Sequence, residues 1–291
     1  SGGIADPLAA MNQVSYFLYL RRLTVMDEEE RERNEFTGGD FTSIFEGHSD
    51  CRWDHFKHLD GDEMLEHVSR VVFPWLKSDI AAKGDLFAIA MKDAVFQIPK
   101  GSLMVEMVST IDRIYELIDK EQQSGQSFND LQGDIYEEFL SEIATAGKNG
   151  QFRTPRHIIQ MMAAMLDPKI GETVCDPAGG TAGFLLASYR QVLASNTSDA
   201  YLTTDRFGIT HGTRGDKITN EDHWKFLQND SFFGFDFDTT MVRIGVMNLM
   251  VHGLNNPRFK YQDTMSKSFN EFNKYDICLL YTSPSPRDVL R

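Results

Sequence analysis

Cysteine is scarce in this chain. Cys51, Cys175 and Cys278 are its only three, too few and too scattered for a disulfide framework. Long apolar runs are missing as well. No stretch approaches the roughly 18 consecutive apolar residues of a membrane-spanning helix, and no charged-then-apolar leader with a small-residue cleavage site opens the chain. The expectation is a soluble protein of a reducing, cytoplasmic compartment. Positive charge is in short supply: Lys and Arg number 29 against 43 Asp and Glu, for a net charge of −14. Non-specific nucleic-acid affinity comes mostly from Lys and Arg neutralising phosphates. A chain this acidic would therefore need a basic partner to work on DNA. The dinucleotide fingerprint G-x-G-x-x-G is absent. His48, Cys51, His55 and His58 are spaced H-x2-C-x3-H-x2-H, which is not a zinc-finger pattern. Trp53 and Phe56 between them read as packing residues, so no metal site is expected.

What is present is globular. The chain has 291 residues, 41% of them hydrophobic, which is room for about two domains of ~150 residues. The leading half reads as helical, with no convincing strand. Asp6-Pro7 supplies an N-cap and an N1 proline for a helix over 7–24. The charged run Asp27–Glu35 reads as a solvated helix end. Residues 37–58 read as loop, 60–76 as a helix stopping at Pro74-Trp75, and 102–121 and 129–146 as two more helices.

The pattern changes near Asn149, giving expected domains of 1–148 and 149–277. Pro155 starts a helix that Asp167-Pro168 ends. Thr173–Asp176 reads as a short buried strand, then a Gly-rich turn, then a helix over 184–194. Phe232–Asp236 is a second strand, Thr239–His252 a helix, and Tyr275-Asp276-Ile277 the start of a later strand. The polar stretch 196–228 has no clear assignment, and His211 and His223 within it read as solvated. Met161, Met162, Met165, Met247 and Met250 have helical spacing and read as core. Strands alternating with helices predict a parallel, doubly wound sheet.

Asp176-Pro177-Ala178-Gly179-Gly180-Thr181-Ala182-Gly183-Phe184 carries the strongest signal. A carboxylate ends the first strand, and glycines let the backbone turn close to a ligand. The next helix start adds free N–H donors. Open α/β sheets bind nucleotides at such a place. A carboxylate in the first turn would repel a pyrophosphate but suits an amino group, so S-adenosylmethionine, with its ammonium and sulfonium, fits better. A Gly-rich turn without a ligand is the plainer alternative. Asp236 ends the second strand, placed to accept both ribose hydroxyls; Asp238 is the better helix cap. Asp263, in Gln262-Asp263-Thr264, is an acid after a short extended segment.

Gly150-Gln151-Phe152-Arg153-Thr154-Pro155-Arg156 resembles the G-Q-F-x-T-P-R motif of modification (M) subunits of type I restriction–modification systems. Asp176–Phe184 resembles their D-P-A-C-G-T-G-G-F motif. Gly133-Asp134-Ile135-Tyr136-Glu137, Met247-Asn248-Leu249-x-x-His252-Gly253 and the stretch from Trp53 to Pro74 extend the likeness over nearly all of 4–277. The resemblance implies a helical N-terminal domain followed by a truncated, Rossmann-like methyltransferase domain using S-adenosylmethionine. It implies an adenine-N6 DNA methyltransferase whose partners are a specificity (S) subunit, a second M subunit, a restriction (R) subunit and, through the complex, double-stranded DNA. It also implies roles. Phe152, Thr154 and Pro155 would line the methionine end of the cofactor. Asp176, Ala178, Gly180 and Gly183 would form its loop, Asp236 would hold the ribose, and Asp263 would approach the adenine amine. Two departures stand out: Gly179 replaces a common Cys and is expected to add flexibility, and Ala182 replaces a common Gly and is expected to keep a negative φ.

The family's N-P-P-F motif, which accepts the target amine and stacks on the flipped base, is expected on the strand that Asp276-Ile277 begins. Cys278–Asp288 stands there instead and resembles the conceptual translation of a transposon-end sequencing adaptor. The natural sequence is therefore expected to stop near Ile277, with 278–291 as read-through, and this chain is expected to be inactive. Two alternatives remain open: a non-catalytic scaffold that binds the specificity subunit, and a related N-P-P-Y enzyme that methylates a protein glutamine.

Overall fold

The structure is a computed structural model that describes residues 4, 6–122, 128–146, 154–204, 210–267, 269–271 and 274–279. It divides into two compact units, Ser1–Gln151 and Phe152–Arg291. Phe152, and the expected read-through beyond Leu279, lie outside the described residues.

The described residues of the first unit form helices and no strand. Helix α1 (Pro7–Thr37) starts as expected, with the Asp6 side chain accepting from the Leu8 N–H and Pro7 in the first turn. It runs well past residue 24 and ends at Gly38, which takes a left-handed φ of 73°. The charged run is its last third, and most of that is exposed. Asp27 departs from the expected solvated face. It is buried, accepting from Ser43 Oγ, the Ile44 N–H and Arg52 Nη1, and so ties the following loop to α1. That loop holds a 3-10 turn and the short helix α2 (Trp53–Phe56).

Helix α3 (Gly61–His67) does not stop at Pro74. Wider π-type turns over Val68–Val72 and Leu76–Ile80 flank α4 (Phe73–Trp75) and carry the helix on. The wider turns leave room for the Pro74 ring against the carbonyl of the preceding turn. Then follow α5 (Leu86–Ala90), α6 (Gly101–Gln122) and α7 (Phe128–Ala146). Trp53, Phe56, Tyr16, Phe17 and Phe87 fill the core. Trp53 donates from Nε1 to Asp112 at 2.7 Å. Arg22, Gln132 and Tyr115 form a buried chain of hydrogen bonds that joins α1, α7 and α6.

The second unit is the expected parallel sheet. Its strands are β1 (Val174–Asp176), β4 (Phe232–Asp236), β5 (Arg258–Tyr261) and β6 (Ile277–Cys278), in the order β5-β4-β1-β6, every neighbouring pair parallel. Around it lie α8 (Arg156–Leu166), α9 (Gly183–Ser195), α10 (Glu221–Asn229) and α11 (Thr239–Val251). The polar insert folds into a small antiparallel pair, β2 (Thr203–Thr204) and β3 (Thr210–His211), followed by α10. His223 is exposed as expected, whereas His211 is half-buried in β3. Every residue of α11 from Met241 to Val251 is buried, Met247 and Met250 among them. Met161 and Met165 correct the reading of the methionines as core: they are 50% and 78% exposed on α8. Helical spacing places residues on one face but does not say that the face is covered.

Candidate functional site

Site residues gather at the carboxyl ends of β1 and β4. The register pairs Asp176 with Gly234, so Asp236 extends one pleat beyond Asp176 on the adjacent strand. Both are buried. Asp236 is fully engaged: Oδ2 accepts from the Gly180 N–H at 2.9 Å and Oδ1 from the Asp238 N–H at 2.8 Å. Asp238 caps α11 by accepting from the Thr240 N–H, as expected. Asp176 is half engaged. Its Oδ1 accepts from the Ala178 N–H at 3.1 Å, while its Oδ2 is buried with no hydrogen-bond partner among the described residues. Burial pushes the Asp176 carboxyl up to about 6, and the Asp236 charge adds to that, against a downward pull from the Ala178 N–H. An unpartnered buried carboxylate oxygen is costly. A cationic group placed there would lower the cost.

The Gly-rich loop is pinned on several sides. The Gly179 N–H donates to the Phe235 carbonyl at 2.9 Å, and Gly180 uses a φ of 53°. Asn248, from the middle of α11, donates from Nδ2 to the Thr181 carbonyl at 2.8 Å. Ala182 corrects its expectation. It has a φ of 62°, just before α9, and is completely buried. A left-handed alanine costs about 1–2 kcal/mol in Cβ contacts. The surrounding hydrogen bonds hold it there.

Gly179 is also corrected. It supplies close approach rather than flexibility, since a Cβ there would lie 2.5 Å from Phe259 Cε2. At Gly183 a Cβ would meet only Ile159 Cδ1, at 3.3 Å, which places α8 beside the start of α9. Pro155 precedes α8 and is exposed, and Thr154 is half-buried.

The segment after β5 closes the other side. The Gln262 N–H donates to the Asp236 carbonyl at 2.8 Å, and Thr264 Oγ1 to the Pro177 carbonyl at 3.0 Å. Asp263, between them, is exposed and accepts from the Met265 N–H. Asp176, Ala178, Gly180, Asp236 and Asp263 thus stand on one connected set of loops. Sequence reasoning missed two residues here. Phe237, directly after Asp236, is 74% exposed, and an exposed aromatic at a strand's carboxyl end was the available signal. The other is Phe259, whose role depends on three distant glycines and leaves no local trace.

In the first unit, His48, Asp50 and Cys51 bring their ligating atoms within 4.8 Å of one another. His48 also faces Asp79 at 3.8 Å. Burial, with Asp50 and Asp79 nearby, pushes the Cys51 thiol up to about 12, which leaves it protonated at neutral pH. Trp53 and Phe56 are core residues, as read from the sequence.

An open parallel sheet with acids at the ends of two adjacent strands and a Gly-rich turn between is the architecture of a methyltransferase-type α/β domain. Residues 127–280 match the N-6 DNA methylase family, and residues 2–111 match the HsdM N-terminal domain. The chain belongs to the N-6 DNA methylase family. It is 26% identical over 290 residues to the type I restriction enzyme EcoEI methylase subunit of Escherichia coli, covering 97% of this chain and 52% of that protein. It is 29% identical over 222 residues to the StySPI methylase subunit of Salmonella potsdam, covering 75% of this chain and 36% of that one. The chain thus spans about half, or less, of the length of these relatives. Its fold is similar to a modification subunit from Vibrio vulnificus YJ016 (TM-score 0.62, 21% identity, 91% of this chain and 52% of that one). It is also similar to a type I restriction-modification methyltransferase subunit from Streptococcus thermophilus (TM-score 0.53, 16% identity, 93% and 56%).

Proposed function

We propose that this chain is the leading part of a type I modification subunit that binds S-adenosylmethionine at the ends of β1 and β4. In the full assembly, the subunit transfers the cofactor's methyl group to adenine N6 in DNA. The observation that carries the reading is the buried, unpartnered Oδ2 of Asp176. It is an acceptor in want of a cation, beside a loop whose Ala178, Gly179 and Gly180 N–H groups already have acceptors. The cofactor's ammonium would meet Asp176, and its ribose would lie toward Asp236 and the exposed Phe237. Thr154 and Pro155, with Phe152, would line the methionine end, and Ala178, Gly180 and Gly183 would shape the loop. When bound, the cofactor supplies an electrophilic methyl on a sulfonium. The protein's part is positioning, which suits an in-line attack by a neutral amine. Asp263 would approach that amine.

Domain boundaries at about 148 and 277 go with this reading. So do a specificity subunit that reads the DNA site, a second modification subunit, a restriction subunit and a cytoplasmic setting. The net charge of −14 supports reliance on more basic partners for DNA affinity. The sequence holds no N-P-P-F motif, so the 291-residue chain is inferred to bind cofactor without transferring methyl. Titration of the purified chain with S-adenosylmethionine, followed by calorimetry, tests the reading. Saturable 1:1 binding that Asp176→Asn weakens at least about tenfold, one charge-assisted hydrogen bond's worth, is expected. Binding unaffected by that substitution would sink it. Methylation of DNA by this chain with its partner subunits would sink the inference of inactivity.

A further inference from the structure

Phe259 is buried on β5, directly opposite Gly234 of β4. Its ring occupies space that three absent side chains leave open. A Cβ at Gly234 would lie 2.1 Å from Phe259 Cδ2, one at Gly179 2.5 Å from Cε2, and one at Gly245 3.1 Å from Cζ. These glycines come from β4, the Gly-rich loop and α11. Gly234 and Gly179 face one edge of the ring. Gly245 faces its tip and opposite edge, 3.2 Å from Cε1. The ring therefore cannot swing off one without entering another. Gly245 also backs the loop itself, its Cβ position 3.1 Å from the Gly180 carbonyl.

We propose that Phe259 is a positioning residue for the Gly-rich loop. Its ring, wedged between Gly179, Gly234 and Gly245, fixes the Gly179–Gly180 peptide and so keeps the Gly180 N–H on Asp236 and the Gly179 N–H on Phe235. An aromatic set across a strand from a glycine fills the volume that the glycine leaves. Here the same ring reaches one element further, into the loop. What the positioning serves rests on the cofactor reading above; the positioning itself does not.

Backbone hydrogen exchange of the ligand-free 291-residue chain tests it, since local opening is read residue by residue. Phe259→Leu is compared with Phe232→Leu, a buried aromatic of the same sheet that packs on Tyr189 rather than on the loop. Phe259→Met, which keeps part of the volume but lacks the rigid ring, stands in with the same expected direction if the leucine variant fails to fold. Phe259→Leu is expected to speed exchange at Gly179 and Gly180 about tenfold or more relative to the β4 amides, and Phe232→Leu to leave that ratio unchanged. Gly179→Ala is expected to lower Tm, and Phe259→Leu in the same chain to recover at least half the loss, the non-additivity of touching residues. Equal effects of the two Phe variants on the loop, or independent addition of the Gly179 and Phe259 effects, would overturn the proposal. Weakened cofactor binding in Phe259→Leu but not in Phe232→Leu would extend it. A wild-type chain that binds no cofactor would overturn the functional reading, while exchange and coupling would still decide the positioning.

Discussion

Asp176 and Asp236 end adjacent parallel strands, and the backbone fills both oxygens of Asp236 but only one of Asp176. The asymmetry makes Asp176 a liability for the fold. Its carboxyl is raised from 3.8 to about 6, by burial first and by the Asp236 charge second. A raised folded-state value means that ionisation is penalised in the fold. The penalty is absent below about pH 4, builds between pH 4 and 6, and is complete above that. Two units correspond to about 3 kcal/mol. Asp176→Asn keeps the acceptor for the Ala178 N–H and removes the charge. The ligand-free variant is expected to match wild type near pH 4 and to be more stable by about 2–3 kcal/mol at pH 7. Thermal unfolding across that range checks it, and a gap that does not open with pH would refute it.

His252 works in the opposite direction. It is buried at the end of α11, and its Nδ1 lies 2.6 Å from the Asn248 carbonyl. A carbonyl only accepts, so Nδ1 carries the proton in the neutral ring and Nε2 is left bare, without a partner among the described residues. Burial foremost, with Arg190 and Arg156, holds the ring down from 6.5 to about 3. The unfolded chain takes up a proton below pH 6.5 and the folded one does not. This contribution is therefore full above pH 6.5 and drains away as pH falls toward 3, by about 2 kcal/mol at pH 5. His252→Gln is expected to flatten that acid limb. The wild-type curve mixes this slope with the contrary slope of Asp176, so the comparison must be made between variants. An unchanged slope from pH 6.5 to 5 in His252→Gln would count against the buried neutral ring.

Much of this was legible beforehand. Asp6-Pro7 opened α1 as read, and Asp238 capped α11, because caps are local chemistry. The short apolar runs ending in Asp176 and Asp236 became β1 and β4, because parallel strands buried on both faces read as continuous apolar segments. What failed was non-local. Pro74 did not stop its helix, because π-type turns absorbed it. Asp27 left the solvated face because residues 16 and 25 positions away supplied partners. Met161 and Met165 have core spacing on an uncovered face. Ala182 and Gly179 were misjudged because a loop's φ values and close approaches are set by what packs behind it. Phe259 and Asn248 are 80 and 67 residues from the loop positions they meet, Gly179 and Thr181.

Ala182 offers a test of stored strain. At a φ of 62° its methyl costs about 1–2 kcal/mol. Ala182→Gly relieves that but gives up a buried methyl and adds unfolded-state entropy, together about 1–1.5 kcal/mol. The terms nearly cancel, so Ala182→Gly is expected to alter stability by less than about 1 kcal/mol, where a buried Ala→Gly elsewhere in a helix would lose more. Ala182→Val, with a branched Cβ at the same φ, is expected to lose more than about 2 kcal/mol. Denaturant melts of both variants decide it. A loss above 2 kcal/mol for glycine would mean that the left-handed conformation is not being forced.

Asn248 ties α11 to the loop through a hydrogen bond from Nδ2 to the Thr181 carbonyl, with its Oδ1 buried and unpartnered among the described residues. Asn248→Ala removes the donor and is expected to cost about 1–2 kcal/mol. Asn248→Asp separates the donor from the shape. The ionised carboxylate has no proton to give Thr181, and it would be buried within a unit that already holds Asp176 and Asp236. Its folded-state pKa must therefore be raised, so its stability deficit is expected to be small at pH 5, where the protonated acid can donate as the amide did, and to grow toward pH 8 as that proton is lost. Melting the three proteins at both pH values checks this. If Asn248→Asp were as stable as wild type at pH 8, the Nδ2 donor would not be what holds Thr181, and the loop's anchorage on α11 would come from other contacts, Gly245 packing among them.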